Sequence, residues 1–107
     1  MTMQALQDSE LFQTGYLVDG VWKSLDTTFD VLNPATGDVI AKVAKAGKKE
    51  TEDAIAAATK AFPAWRAKTA KERSTILYRW YELMIENKRW LGQLMTTEQG
   101  KPLKEAE

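Results

Sequence analysis

Two carboxylates, Glu82 and Glu86, stand four residues apart in the C-terminal half of the chain. On a helix this spacing places both side chains on one face, where a carboxylate pair can act as general acid and general base. Arg79 and Arg89 are close to them in the sequence, and glutamate side chains are usually exposed. The pattern therefore favours solvated surface groups over a catalytic pair.

The other residues that can carry chemistry lack the partners they need. Ser74 and Thr75 have no histidine to activate their hydroxyls, because the chain contains neither histidine nor cysteine. This composition also excludes disulfides, thiolate metal sites and a cysteine nucleophile within these residues. The six glycines form no phosphate-binding motif. Lys101 beside Pro102 could bind an anion at a helix N-terminus, with an ordinary solvated lysine as the alternative. The sequence predicts no catalytic or cofactor-binding residue here.

Tryptophans and an uneven charge distribution make nucleic-acid binding a candidate function. The tryptophans can stack on bases, but Trp80 lies on an apolar helical stripe and is predicted in the core, with Trp22 and Trp65 covering the sheet and the helix junction. Residues 1–40 carry six acidic side chains and one basic side chain, whereas residues 41–107 carry nine acidic and fourteen basic side chains. The bases are dispersed among glutamates, which favours attraction between the two halves over a nucleic-acid surface.

Length and composition indicate one soluble domain. The chain has 107 residues, 44% of them apolar, and a formal net charge of zero, which suits one modest hydrophobic core. The first residues lack the basic start and the long apolar run of a signal peptide. No apolar run approaches the roughly 18 residues of a membrane helix. We therefore expect a cytoplasmic protein with no membrane and no nucleic-acid partner.

Short strands are predicted in the N-terminal half. Residues 1–14 are expected to form a flexible N-terminal tail, with one helical turn around Ser9–Phe12. Two short apolar runs then flank Asp19-Gly20, a strong signal for a two-residue hairpin turn. A second strand pair follows, joined by a Pro-Ala-Thr-Gly turn at 34–37. The sequence thus predicts three or four strands before residue 47.

Three helices are predicted after these strands. The first has a narrow, alanine-rich apolar stripe and is expected to end or kink at Pro63, with Trp65 in a connector. The second begins at a capping box in which Thr69 and Glu72 satisfy each other's free N–H groups. It presents a broad apolar face over residues 76–84, which is typical of a helix packed on a core.

The third helix is predicted to carry Leu91, Leu94 and Met95 on its apolar face and to end before Gly100. Pro102 then begins another helix, since proline suits a first turn, but the chain ends about one turn later. The unfinished helix indicates a piece of something larger. The expected architecture is α+β, with an N-terminal β-hairpin and short strands followed by three helices.

Three stretches occur in a fixed order: NPATGDVIAKV at 33–43, FPAWRAKTAKERSTIL at 62–77 and LMTTEQGKPLKEA at 94–106. In this order and spacing they resemble the N-terminal segment of aldehyde dehydrogenases. The preceding YLVDGVWKS looks like the opening hairpin of that family, and the last stretch is most similar to the bacterial NAD(P)-dependent succinate-semialdehyde dehydrogenase branch. The resemblance implies that residues 15–107 are the N-terminal portion of a cofactor-binding domain.

The resemblance implies a parent enzyme that oxidises succinate semialdehyde to succinate with NAD or NADP. In that family a cysteine thiolate attacks the aldehyde, hydride passes to the nicotinamide, and a glutamate activates the water that releases the acid. These residues and the cofactor loops follow the matched segment, so none is placed on residues 1–107. The whole enzyme is implied to be an α/β homo-oligomer, whereas the 107-residue chain alone is expected to be inactive and to hold no cofactor.

The resemblance also carries over two positions near a structural monovalent cation. Some family members hold this ion partly through backbone near the Asn-Pro turn and the Gly-Lys-Pro loop. The matching positions are Leu32, which precedes Asn33-Pro34, and Glu98, which precedes the Gln-Gly-Lys-Pro sequence. Carbonyl and carboxylate oxygens suit a hard cation. A ligand from the rest of the enzyme would be missing, so we expect no ion in this chain.

Two further functions are compatible with the lack of catalytic residues. A stand-alone helical protein-interaction module would use Trp65 and the helix faces as a partner groove, but it leaves the family-like motif order unexplained. A nucleic-acid-binding protein would show steeply salt-dependent binding, and we rank it last. Under the enzyme hypothesis the apolar faces of residues 54–62 and 76–95 lack part of their cover, so the isolated chain is expected to dimerise or exchange elements.

Overall fold

Nine elements make up the fold in a computed structural model that describes residues 2–107. In chain order they are α1 (Met3–Gln7), β1 (Tyr16–Val18), β2 (Val21–Lys23), β3 (Thr28–Leu32), β4 (Val39–Ala44), α2 (Lys48–Ala67), α3 (Ala70–Glu86), α4 (Lys88–Gln99) and α5 (Leu103–Ala106). The strands form two separate antiparallel hairpins, β1–β2 and β3–β4. The predicted α+β arrangement is confirmed. Helix α1 is an additional short helix, and α5 is the short helix expected after Pro102. Over residues 2–107, no helix has the length and apolar composition to cross a membrane.

Both hairpins have the predicted turns. Between β1 and β2, Asp19 and Gly20 adopt positive φ angles of 52° and 73°, as a two-residue turn matched to the strand twist requires. Between β3 and β4, the Asn33 N–H donates to the Asp38 carbonyl at 2.8 Å, and the Gly37 N–H donates to the Asn33 carbonyl at 2.7 Å. Local turn chemistry therefore determines where each hairpin reverses.

The N-terminal segment has its helix earlier than predicted. The expected turn at Ser9–Phe12 is a hydrogen-bonded turn, with the Phe12 N–H 3.0 Å from the Ser9 carbonyl, but the helix itself is α1. Thr2 caps α1 by accepting a 3.1 Å hydrogen bond from the Ala5 N–H. Leu6 on this helix is only 1% exposed. The segment predicted as a flexible tail thus contains a capped helix with a buried apolar side chain.

Of the end or kink predicted at Pro63, the end is wrong and the kink stays a prediction. Helix α2 continues through this proline to Ala67 and includes Trp65, which was expected in a connector. A proline removes one N–H donor and crowds one carbonyl, while the surrounding alanines favour the helix. The helix stops at Lys68, whose backbone is extended with φ −66° and ψ 148°.

Helix α3 begins at the predicted capping box. The Glu72 N–H donates to the Thr69 hydroxyl at 3.2 Å, and the Thr69 N–H donates to the Glu72 carboxylate at 2.7 Å. The backbone bond from Thr69 lowers the pKa of Glu72 below its ordinary value of 4.5, because it stabilises the charged carboxylate.

At the start of α2 the Gly47 N–H donates to the Glu50 carboxylate at 2.8 Å, and this bond lowers the pKa of Glu50.

One arginine fastens the corner between α2 and α3. The Arg73 guanidinium donates to the carbonyl of Arg66 at 3.3 Å and to the carbonyl of Lys68. These carbonyls lie at the C-terminal end of α2, where a helix leaves its acceptors without internal partners. Hydrogen bonds from a charged donor are stronger than neutral ones, so these bonds hold the first turns of α3 against the C-terminal end of α2.

Two glycines set the packing at the C-terminal end. At Gly92 a Cβ atom would lie 2.9 Å from Cγ of Glu107, so the absence of a side chain lets α5 approach α4. Gly100 ends α4 with φ 82°, the left-handed conformation favoured after a helix, and lies against the ring of Pro34. This contact places the β3–β4 turn beside the loop between α4 and α5.

The elements do not close around a single core. The Cα radius of gyration is 16.7 Å, whereas a compact chain of this length has a radius of about 13 Å. The chain exposes 8309 Å², and a compact monomer of its mass exposes about 6,000 Å². Roughly 2,300 Å² more surface is therefore uncovered than in a compact domain of this size.

We predict that acid weakens the fold through Glu72. Because the pKa of Glu72 is lower in the folded than in the unfolded chain, the stabilisation is complete above pH 4.5 and is lost as the pH falls through the folded pKa. Thermal unfolding measured across this range checks it. Glu72→Gln should reduce the pH dependence, whereas Glu52→Gln, whose exposed partner Lys48 is 3.8 Å away, should not. Identical pH profiles for the two variants would contradict the capping account.

Candidate interaction surface

Helix α3 is apolar around most of its circumference. Consecutive residues are turned by about 100°, so its large apolar side chains fall within a roughly 220° arc. In order around the helix they are Leu83, Ile76, Trp80, Met84, Leu77, Tyr81, Ile85 and Tyr78. Each is between 42% and 62% exposed. A helix that faces a single core needs an apolar arc of only about 100°, so α3 is suited to being covered on two sides.

The narrow polar strip of α3 contains the carboxylate pair. Glu82 and Glu86 lie 3.5 Å and 3.4 Å from the Arg79 guanidinium, and their side chains are 45% and 58% exposed. The interpretation as solvated surface groups is confirmed for both carboxylates. Thr75 donates its hydroxyl to the backbone carbonyl one turn earlier at 2.9 Å, and Ser74 is exposed. The strip is an ordinary ion-paired helix face that adds little to stability.

The tryptophans are distributed differently from the prediction. Trp80, expected in the core, is 62% exposed, because its face of α3 is only partly covered. Trp22 is 51% exposed, and Trp65 is half-buried. The buried tryptophan is Trp90 on α4, whose indole N–H has no hydrogen-bond partner among residues 2–107.

The apolar face predicted for α4 is also largely open. Leu91 and Met95 are 37% and 43% exposed. Together with Met84 and Ile85 of α3 they line a groove of about 340 Å³ that reaches the C-terminal end of α5. The buried residues of α4 are instead Trp90, Gly92 and Thr97. Because Leu91 and Met95 stay exposed beside Met84 and Ile85, the exposed apolar surface of α3 continues onto α4.

The β1–β2 hairpin packs on the alanines of α2. A cavity of about 240 Å³ lies between Leu17 and Val18 of the hairpin and four alanines of α2, namely Ala54, Ala57, Ala58 and Ala61. The small side chains let the hairpin approach the helix, as the alanine-rich stripe predicted. The larger side chains of this helix, Ile55 and Phe62, remain 61% and 57% exposed. Helix α2 therefore contributes a second uncovered apolar surface.

The two segments expected near a structural cation lie side by side. Leu32 ends β3 and Glu98 lies in the last turn of α4, and the contact of Pro34 with Gly100 joins the segments that contain them. Lys101 is half-buried in the same region. Residues 2–107 contain no group of three or more histidine, cysteine or acidic side chains that could hold a metal ion. The carry-over of the family's cation positions to Leu32 and Glu98, and the expectation that this chain alone holds no ion there, stay predictions.

The sequence that forms this surface matches a known family. The family model described as "Aldehyde dehydrogenase family" matches residues 22–107. The chain belongs to the aldehyde dehydrogenase family. The resemblance carried by the three motifs is thereby confirmed, and the exposed helices belong to a segment of the aldehyde dehydrogenase fold.

Aldehyde dehydrogenases of the semialdehyde type are similar to this chain. A glutarate-semialdehyde dehydrogenase of Pseudomonas putida is 58% identical over 103 residues, 94% of this chain. An NADP(+) succinate-semialdehyde dehydrogenase of Escherichia coli is 52% identical over 103 residues, also 94% of this chain. A crystal structure of an E. coli NADP-dependent enzyme superposes with a TM-score of 0.89 over 92% of this chain, at 52% identity.

The chain spans about a fifth of the length of these relatives. It covers 22% of the P. putida protein, 21% of the E. coli dehydrogenase and 21% of the chain in the crystal structure. Its fold therefore corresponds to one segment of those larger proteins.

We predict that the 107-residue chain self-associates through the apolar arc of α3. Trp80→Arg places a charge in the middle of this arc and should weaken association about tenfold or more, because burying an unpaired charge is costly. Sedimentation velocity measures the effect. Trp22→Arg, the same change at an exposed tryptophan on β2, is the matched control and should have a smaller effect. A monodisperse monomer at the highest soluble concentration would contradict the prediction.

Proposed function

We propose that this chain is the N-terminal part of an NAD(P)-dependent aldehyde dehydrogenase that oxidises succinate semialdehyde to succinate, and that its own role is structural. The observation that carries the proposal is α3, a helix whose wide apolar arc is only partly covered, in a chain that matches the family over residues 22–107. A protein several times longer supplies the surfaces that would cover this helix. Those surfaces would also cover the roughly 2,300 Å² that this chain exposes in excess of a compact domain.

The chemistry is assigned to residues outside this chain. Oxidation of an aldehyde to an acid transfers a hydride to an acceptor and adds an oxygen atom from water, so it needs a nucleophile and a base. The sequence has neither cysteine nor histidine, and its central carboxylate pair is held by Arg79. The chain alone is therefore proposed to be inactive and to hold no NAD or NADP.

The semialdehyde class is supported by the relatives. One of them is named for glutarate semialdehyde and another for succinate semialdehyde. The two compounds differ by one methylene group, which a binding pocket distinguishes by only about 1–3 kcal/mol. We place succinate semialdehyde first and glutarate semialdehyde second.

The parent enzyme is further proposed to be a cytoplasmic homo-oligomer. The width of the apolar arc on α3 supports this, because one side can pack on the remainder of the same chain while the other faces a neighbouring subunit. Interfaces between permanently associated subunits are more apolar than transient ones. The side of α3 that carries Tyr78, Tyr81 and Ile85 is apolar in this way.

A chimera tests the structural role. The chain replaces the corresponding first fifth of the E. coli succinate-semialdehyde dehydrogenase, and turnover of succinate semialdehyde and of glutarate semialdehyde with NADP is followed by nicotinamide absorbance. We expect activity within about tenfold of the unmodified enzyme. Trp80→Asp in the chimera should greatly reduce the yield of soluble enzyme. Trp22→Asp is the matched control and should reduce it less. A chimera that folds normally but is inactive would contradict the structural role, and turnover by the chain alone would contradict the assignment of chemistry.

The intact mass of the native gene product separates the two candidate functions. We expect a product several-fold heavier than this chain that contains a reactive cysteine. A native product of 107 residues would overturn the enzyme proposal and favour a stand-alone interaction module that uses the exposed face of α3. Mass spectrometry of the protein captured from its source cells measures this directly.

A further inference from the structure

We propose that residues 2–14 form a strap that holds the β3–β4 hairpin against the pair of helices α3 and α4. The strap precedes the segment matched by the family, residues 22–107, and does not depend on the proposed function. Strands β3 and β4 pack chiefly on each other. The contact of Pro34 with Gly100 is one place where this hairpin meets the helical part. This contact joins one turn to one loop, so attachment along β4 would further restrict rotation of the hairpin about it.

The strap is attached to the hairpin by two hydrogen bonds along β4. The Gln7 side-chain N–H donates to the Ile40 carbonyl at 2.8 Å, and the Ala44 N–H donates to the Thr14 carbonyl at 2.8 Å. Ile40 lies at the β-bulge and has no partner in the register with β3. Its backbone carbonyl therefore needs a hydrogen-bond donor from outside the strand pair. The strap therefore supplies hydrogen-bond partners to two backbone groups of β4.

The strap reaches the helices through its apolar side chains. Leu11 lines a cavity of about 280 Å³ together with Trp80, Leu83 and Met84 of α3 and Leu91 of α4. In the chain Leu11 lies between Gln7 and Thr14, the two residues bonded to β4, and Leu6, next to Gln7, is 1% exposed. Bonds to β4 on both sides of Leu11, together with the buried Leu6, make the segment a link between the hairpin and the helices.

The strap also contains hydrogen bonds that do not leave it. The Gln13 side chain donates to the Glu10 carbonyl at 2.9 Å, whereas the side chain of Gln7 reaches β4. Truncating either glutamine removes the same atoms from the same segment. Gln13→Ala is therefore the matched control for Gln7→Ala: the two variants separate bridging across the molecule from local ordering of the segment.

Distance measurements in the 107-residue chain test the strap. The sequence contains no cysteine, so Ala35→Cys and Arg89→Cys place one spin label on the β3–β4 turn and one on α4. The labelled chain is diluted with unlabelled protein, and the distance distribution is measured by double electron–electron resonance. We expect one narrow peak that broadens when Gln7→Ala is combined with Leu11→Ser and is unchanged in Gln13→Ala. An unchanged peak in the combined variant would overturn the proposal.

Amide hydrogen exchange gives a second measurement. Leu6→Ala should lower the melting temperature by roughly 10 °C or more. Under conditions where the variant stays folded, exchange of the Ala44 N–H and of amides in α4 should accelerate about tenfold or more, while the β1–β2 hairpin is unaffected. Faster exchange confined to residues 2–14 would overturn the proposal. If Leu6→Ala prevents folding, the same exchange pattern is tested in the Gln7→Ala, Leu11→Ser variant.

Discussion

Covering the apolar circumference of α3 is the constraint on which the other elements depend. Apolar surface is driven out of water by about 25 cal/mol per Å², and α3 presents such surface over roughly 220° of its circumference. Helix α4 and the N-terminal segment cover part of one side. The remainder gives the chain its open shape and its large exposed area, because no second layer lies on the helix within residues 2–107.

Local polar interactions hold this open arrangement in a defined geometry. The capping box of Thr69 and Glu72 determines where α3 begins, and Arg73 ties that start to the last carbonyls of α2. The left-handed Gly100 ends α4 beside Pro34. None of these interactions requires the apolar faces, so the helices can be directed correctly while those faces remain available to another surface.

Membership of the aldehyde dehydrogenase family gives the open geometry a context. The chain spans about a fifth of its relatives, and its superposition on a solved structure shows that its fold matches one segment of that longer chain. A fold by itself does not determine function, which lies in the residues of a site. The named activity of the relatives therefore enters as a proposal, whereas the scaffold geometry is a property of these residues.

The sequence by itself determined the features that depend on residues within about one helical turn of each other. The Asp19-Gly20 turn, the capping box and the glycine end of α4 follow from backbone angles and side chains close in the chain. The motif order also sufficed to place the chain in its family, although no catalytic site could be located on it. These are the parts that a reading of the sequence predicted correctly.

Burial was decided only by the tertiary structure. Trp80 was predicted in the core and is exposed, whereas Leu6, in a segment of polar composition, is almost completely buried. Helix α2 continues through Pro63 because the residues around it sustain the helix. An apolar pattern shows which side of a helix needs cover, but it does not show which segment supplies that cover. That depends on contacts between residues far apart in the chain, and for α3 much of the cover is absent from residues 2–107.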